Sequence, residues 1–305
     1  MALTASILYW LLAATLAPLM MGIISRTKAF FGGRRGQPLL QAYHDLFKLM
    51  RKGAVYSRTA TWVFRLGPVL GLAIVLVCLS IVPAGGLSAV FAFSGDFVFL
   101  AYALGMMRFF TVLAALDTGS AFEGMGASRE MHFSLITELV LFSGMAVLAV
   151  SSGQVSISGI YNHLWSGDMH PAGGAPVLLV AAAFWVVLLA ENARIPVDDP
   201  TTHLELTMIH EVMVLDHCGV DLALIQYAAA LKLWLFSALM VGLALPLRTG
   251  WPMLDLAVTT AGIFITAVLI GIIESTTARL RLLRVPMMLV VALALTLAAF
   301  FWILR

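Results

Sequence analysis

Long apolar runs alternate with short polar ones along the chain. Eight runs approach the roughly 20 residues needed to cross a bilayer: about 5–25, 64–83, 97–116, 132–152, 175–191, 223–245, 255–274 and 286–304. Each predicts a transmembrane helix, since a helix satisfies its own backbone polar groups in lipid. Another stretch has a different pattern. Leu39, Leu40, Tyr43, Leu46, Phe47, Leu49 and Met50 recur at helical spacing, with Asp45, Lys48, Arg51 and Lys52 among them. That spacing predicts an amphipathic helix lying along the membrane surface. The expected fold is therefore all-α: a polytopic membrane protein of about eight transmembrane helices plus the surface helix. A single integral membrane domain is expected over 1–305, with no internal repeat or linker. The first run lacks the charged start and small-residue cleavage site of a signal peptide, so it is expected to be retained.

Composition agrees, and the placement of charge adds orientation. Hydrophobic residues make up 61% of the 305 and charged residues only 11%, against about 25% charged in soluble domains. The net charge of +2 gives no reason to expect a nucleic-acid partner. Nine basic residues fall in the 26–65 loop, from Arg26 and Lys28 through Arg34, Arg35, Lys48, Arg51, Lys52 and Arg58 to Arg65. Arg108 and Arg129 are read as flanking the next loop on that side, with Arg194, Arg279, Arg281 and Arg284 in later ones. Because cytoplasmic loops are enriched in Lys and Arg, both termini are expected outside. The amphipathic 26–65 loop and an acidic loop at about 192–222 are expected on the cytoplasmic side.

The polar segments hold the candidate chemistry. Residues 190–211 read AENARIPVDDPTTHLELTMIHE and gather Glu191, Asp198, Asp199, Glu205 and Glu211 with His203 and His210. The 117–130 loop carries Asp117, Glu123, Arg129 and Glu130, and Glu138 follows inside the fourth span. Glu191 and Glu274 mark the inner ends of spans five and seven, and Lys232 lies inside span six. An intramembrane charge is costly unless paired, protonated or hydrated. Ionisable groups from four spans are most economically placed along one hydrated interior path, with structural ion pairs as the alternative. Mutually close carboxylates raise one another's pKa and nearby cations lower it, so such a row could pass protons.

His203 and His210, seven apart, are expected to share a helical face. They do not form the H-E-x-x-H zinc pattern, and no metal site is expected. Cys78 and Cys218 are too few for a cysteine-ligated iron–sulfur cluster. No nucleophile elbow or phosphate-binding loop is present.

Four segments resemble one family. AENARIPVDDPTTHLE resembles A-E-x-x-R-x-P-F/V-D of the membrane subunit joining the two arms of respiratory complex I. It is more similar still to the corresponding subunits of group 4 NiFe hydrogenases, of the hydrogenase-4, formate hydrogenlyase and energy-converting types. RRGQPLLQAYHDLFKL, LDTGSAFEGMGASRE and ESTTARLRL are similar to that family's other motifs, in order, over about residues 15–285. Gln37 and Ala121 depart from the family's Pro-Gly and Pro. Thr201 and His203 occupy positions that are acidic in complex I, and Asp216-His217-Cys218-Gly219 replaces its ending. These departures favour the hydrogenase type over an NADH-quinone oxidoreductase subunit that forms a quinone chamber, and over a stand-alone transporter.

The resemblance implies a subunit that is not catalytic alone, in the inner membrane of a prokaryote. Its implied partners are hydrogenase-type large and small subunits and an iron–sulfur subunit on the cytoplasmic face, antiporter-like membrane subunits, lipid and, in the rival reading, quinone. Iron–sulfur clusters and NiFe would be held by partners and no cofactor by this chain. Glu130, Glu138, Glu191, Asp198, Glu205, Lys232 and Glu274 are the expected proton path. Arg108, Asp117, Glu123, Arg129 and Arg194 would flank it or pair with it, and Arg34, Arg35, Asp45, His203 and His210 would dock the peripheral arm.

Overall fold

The apolar runs fold as helices throughout the computed structural model, which describes residues 2–84, 86–165, 174–199, 207–245 and 249–304. In chain order these are α1 (Ala2–Phe31), α2 (Gln41–Met50), α3 (Trp62–Ile81), α4 (Asp96–Asp117) and α5 (Ala121–Ser152). Then come α6 (Ile157–Trp165), α7 (Gly174–Glu191), α8 (Gly219–Ala244), α9 (Pro252–Thr276) and α10 (Val285–Ile303). No strand occurs among the described residues. Eight helices among those residues, all but α2 and α6, are long and apolar enough to cross a membrane. The predicted surface helix is α2, and none of its residues is buried.

α8 is the hub, in contact with α1, α2, α3, α7 and α9. It is mostly apolar, as a helix enclosed by others should be, with Lys232 as the charge in its interior, and Trp234 near its middle is fully buried. The indole nitrogen of Trp234 donates to the Tyr9 hydroxyl at 3.2 Å, and Tyr161 donates to the Leu239 carbonyl at 2.9 Å. Pro18 lies inside α1 without ending it. A proline has no N–H for the carbonyl four residues back. That carbonyl, of Ala14, accepts instead from the Tyr227 hydroxyl of α8 at 2.7 Å.

Three expectations need correction. The predicted 117–130 loop is mostly helix, because α5 begins at Ala121 and runs for 32 residues, about 48 Å at 1.5 Å per residue. That exceeds a hydrocarbon core of roughly 30 Å. Gly124 and Gly126 therefore lie within a helix. Arg108 does not flank a loop but sits in the interior of α4, where carboxylates of two neighbouring helices neutralise it. His210 is on no α-helix: it precedes a short 3-10 turn, Glu211–Val214, and the described residues leading into it are irregular. The expected partner on that face, His203, lies outside the described residues, as does Glu205.

Candidate functional site

α7 ends by folding back on itself. Ala193 takes a left-handed conformation at φ 50°, and the Arg194 N–H reaches the Leu189 carbonyl at 2.9 Å. That is the six-to-one bond of a Schellman end. Arg194 is thereby buried against α9 and α1. Its Nη1 lies 3.5 Å from Glu274 Oε1, and its Nη2 meets the Met21 sulfur. Lys28 of α1 approaches the other oxygen of Glu274 at 2.9 Å. Glu274 thus faces two cations from two other segments.

At the last residue of α7, Glu191 anchors a second group. Arg108 Nη2 lies 3.4 Å from Glu191 Oε1 and 3.2 Å from Glu138 Oε1 of α5. Lys232 of α8 approaches Glu191 Oε2 at 2.8 Å, an ion pair rather than an aligned hydrogen bond. The Thr137 hydroxyl donates to Glu191 Oε1 at 2.9 Å. Two cations and two carboxylates balance, which is the condition for keeping charges inside an apolar bundle. Arg108 Nε and Nη1 have no partner among the described residues.

Glu138 differs from the rest in exposure. Its side chain is 39% exposed, against 6% for Glu191. It opens into a groove of about 460 Å³ between α4 and α5, whose other walls include Tyr102, Met106, Phe109, Leu135 and Phe142. Gly105 of α4 makes the room: a Cβ there would stand 2.9 Å from the Glu138 carboxylate.

A third group lies at the end of the bundle that carries the basic loops. His210 Nε2 is 3.1 Å from Glu130 Oε2 and its Nδ1 is 3.7 Å from Asp198 Oδ2. Asp198 also accepts from the backbone N–H groups of Ile209 and His210, at 3.1 and 3.2 Å, and from Arg279 Nη2 at 2.8 Å. Arg279 further donates to the Thr207 carbonyl, and Arg129 to the Met208 carbonyl at 2.8 Å. Five bonds from three segments thus fix the short stretch before the 3-10 turn. Gly126 lets the 3-10 turn itself lie directly on α5, since a Cβ would stand 2.3 Å from Val212.

Burial drives the Asp198 carboxyl up, but its bonds to His210 and the charge of Arg279 outweigh burial and hold it below the usual range. Burial drives His210 down, yet Glu130 and Asp198 hold it above its ordinary value. A narrow cavity with room for about one water separates this group from Glu191. Glu130, Ser134, Thr137, Glu191 and His210 are among its walls.

The remaining predicted residues stand apart. Asp117 caps α3, accepting from the Thr61 N–H at 2.6 Å and the Phe64 N–H at 3.3 Å. Glu123 is wholly buried and accepts from the Asp216 N–H at 3.1 Å. Arg34 and Arg35 are exposed beyond the end of α1, and exposed Asp45 accepts from Gln41 within α2. Sequence reasoning missed Thr137, Lys28 and Arg279 as site residues. Arg279 falls in the ESTTARLRL motif and could have been found there. Lys28 looked like one more loop cation, and nothing along the chain distinguishes Thr137 from other hydroxyls in spans.

Against known proteins, the NADH dehydrogenase family model matches residues 3–304. Hydrogenase-4 component C of Escherichia coli (strain K12) is 33% identical over 294 residues, covering 94% of this chain and 91% of the relative. Formate hydrogenlyase subunit 4 of the same strain is 28% identical, covering 91% and 92%. Among solved structures, a chain of the membrane-bound sulfane sulfur reductase, an archaeal respiratory membrane complex, superposes with a TM-score of 0.79. That match is at 19% identity and covers 98% of this chain and 99% of the other, so it speaks to the fold. With eight helices among its described residues long and apolar enough to cross a membrane, and a family match over nearly its whole length, the chain belongs to the NADH dehydrogenase family of complex I-like membrane subunits.

Proposed function

We propose that this chain anchors the peripheral redox arm of a complex I-like, hydrogenase-type complex and carries the first part of its proton path. One observation carries the reading. Ionisable side chains succeed one another from His210 and Glu130 at the basic end, past a water-sized cavity, to Glu191, and through Arg108 to Glu138 at a lateral groove. Glu138 is placed to meet an antiporter-like neighbour in the membrane. Glu274, between Lys28 and Arg194, is a side group that responds to charge near the first helix. The basic end is cytoplasmic by the placement of Lys and Arg, which puts both termini outside. Exposed Arg34 and Arg35 belong to the surface that receives the soluble hydrogenase-type and iron–sulfur subunits. Those subunits carry the clusters and any NiFe centre. The relatives named for hydrogenase-4 and formate hydrogenlyase support this reading over the quinone-reducing one.

Glu191→Gln tests it, because glutamine keeps size and hydrogen bonding but cannot carry a proton. The expected result is an assembled complex whose coupled proton translocation falls at least about a hundredfold, the lower end of what a positioned proton-transfer group contributes. An assembled complex that pumps at the wild-type ratio, measured with a pH dye in proteoliposomes, would overturn the proposal.

A further inference from the structure

His210 lies outside the membrane-spanning helices, yet its ring touches the outermost carboxylate of the path. Nε2 is 3.1 Å from Glu130 Oε2, hydrogen-bond distance for proton transfer. The side chain is 24% exposed while those of Glu130 and Asp198 are 6% and 2% exposed. Among these three groups the imidazole alone has substantial contact with water. Its orientation is fixed from behind. Asp198 faces Nδ1 and binds the His210 backbone N–H, and Arg279 holds Asp198 in turn. Beyond Glu130, toward Glu191, lies the narrow cavity described above, with room for about one water.

We infer that His210 loads the path: its imidazolium hands the Nε2 proton to Glu130 and is recharged from water on its exposed side. The step rests on the proposed function, since it supplies the carboxylates of that reading. In it the Nε2–H bond breaks and an O–H bond forms on Glu130 Oε2. The bonding pair stays on nitrogen as the imidazole lone pair, and no electron is gained or lost. Glu130 releases its proton inward through the cavity, after which the lone pair takes a proton from water.

The charged groups facing the ring suit it to this task. Glu130 on α5 and Asp198 after α7 favour the imidazolium, while Lys232 on α8 opposes it. The net effect holds the ring above its ordinary value near 6.5, so a charged donor is well populated near neutrality. The ring also sits on the segment pinned to Arg129 and Arg279. Movement of that segment by a docked subunit would change the His210 to Glu130 distance directly.

The test uses the intact complex in proteoliposomes, with reduced methyl viologen as electron source and a pH dye as the readout of proton movement. Two variants are needed, His210→Gln and His210→Ala, with Glu191→Gln beside them. H210Q is expected to assemble and to lose at least about a hundredfold in coupled proton translocation. Its pH profile should lose the decline that wild type shows as pH rises through the His210 value. H210A should recover several-fold when imidazole is added to the medium, which a purely structural defect would not do. Wild-type pumping by H210Q with an unchanged pH profile would overturn the inference. So would an H210A defect that imidazole leaves unmoved, or loss of assembly in both variants, which would make the ring a structural clamp. A defective E191Q beside a normal H210Q sinks only the role of His210, whereas a normal E191Q sinks the carboxylate path itself.

Discussion

Two sets of buried carboxylates stand at opposite ends of the same bundle. Asp96 and Asp255 lie near the first turns of α4 and α9, and Glu191 and Glu274 near the last turns of α7 and α9. All four are at most 7% exposed. Asp96 accepts from the Ile157 N–H and the Ser156 hydroxyl at 2.7 and 2.8 Å, and so caps the neighbouring short helix. Asp255 takes the N–H and hydroxyl of Thr249 at 2.9 and 2.7 Å. Neither of them has a cationic partner among the ion pairs of the described residues. Glu191 and Glu274 are each held by two cations from other segments. Burial of a carboxylate therefore does not by itself mark a path. Cross-helix cations do, because they let the group stay ionised at depth and couple it to its neighbours.

The comparison can be broken most severely at Arg108. Arg108→Leu leaves Glu138 without its cation and Glu191 with one, and removing one partner of a buried pair costs about 3–5 kcal/mol. A large drop in thermal midpoint and in yield of assembled complex is expected. Unchanged assembly would show that the cation is dispensable and the contrast false. Asp96→Ala, which removes a cap, should cost only about 0.5–2 kcal/mol. Proton translocation in the complex that assembles should be normal, as measured with the same dye assay. A pumping defect in that variant would erase the distinction between the two ends.

The smallest effect expected concerns two histidines seven residues apart. His210, between two carboxylates, is held above its ordinary value. Its contribution to stability is then complete below about pH 6.5 and is lost as pH rises through the folded value. His217 stacks on Phe64 with ring centroids 3.9 Å apart, and burial drives it down to about 4 against the pull of Asp221 and Asp216. Its contribution has the opposite sign: complete above about pH 6.5 and lost as pH falls toward 4. Hydrogen exchange, corrected for intrinsic rates, should show the Ile209 and His210 amides loosening on the alkaline side. The amides around His217 should loosen on the acid side. Parallel behaviour of the two would refute the assignment of opposite environments.

Much of this was legible along the chain. Spans follow from run length, and α2 follows from the spacing of Leu39, Tyr43, Leu46, Phe47 and Met50, because each depends only on local pattern. Glu138, Glu191, Lys232 and Glu274 stand out because charge is rare in apolar runs. Their pairing was not legible. That Arg108 joins Glu138 to Glu191 while Glu274 turns to Lys28 depends on which helices are neighbours, and packing partners leave no periodic signal. The same holds for Gly126, whose role shows only once Val212 is seen lying against it. His210 was legible as a residue beside acids but not as a bridge, since Glu130 is 80 positions away in the chain.

Arg108 also bears on how the protein is made. Transmembrane segments leave the ribosome in sequence, and α4 reaches the bilayer carrying a cation that costs roughly 2.5–3.5 kcal/mol at a helix centre. The chain answers this in order. Glu138 arrives on the very next helix, Glu191 follows on α7, and Lys232 comes only after Glu191 is there to receive it. Lys28 and Arg194 wait at the membrane edge until Glu274 is synthesised. Arg108 and Lys232, the two cations inside spans, are thus each introduced next to a counterion already in place or one helix behind, so α4 and α5 enter the membrane most cheaply as a hairpin. The order of charges along the sequence doubles as an assembly schedule.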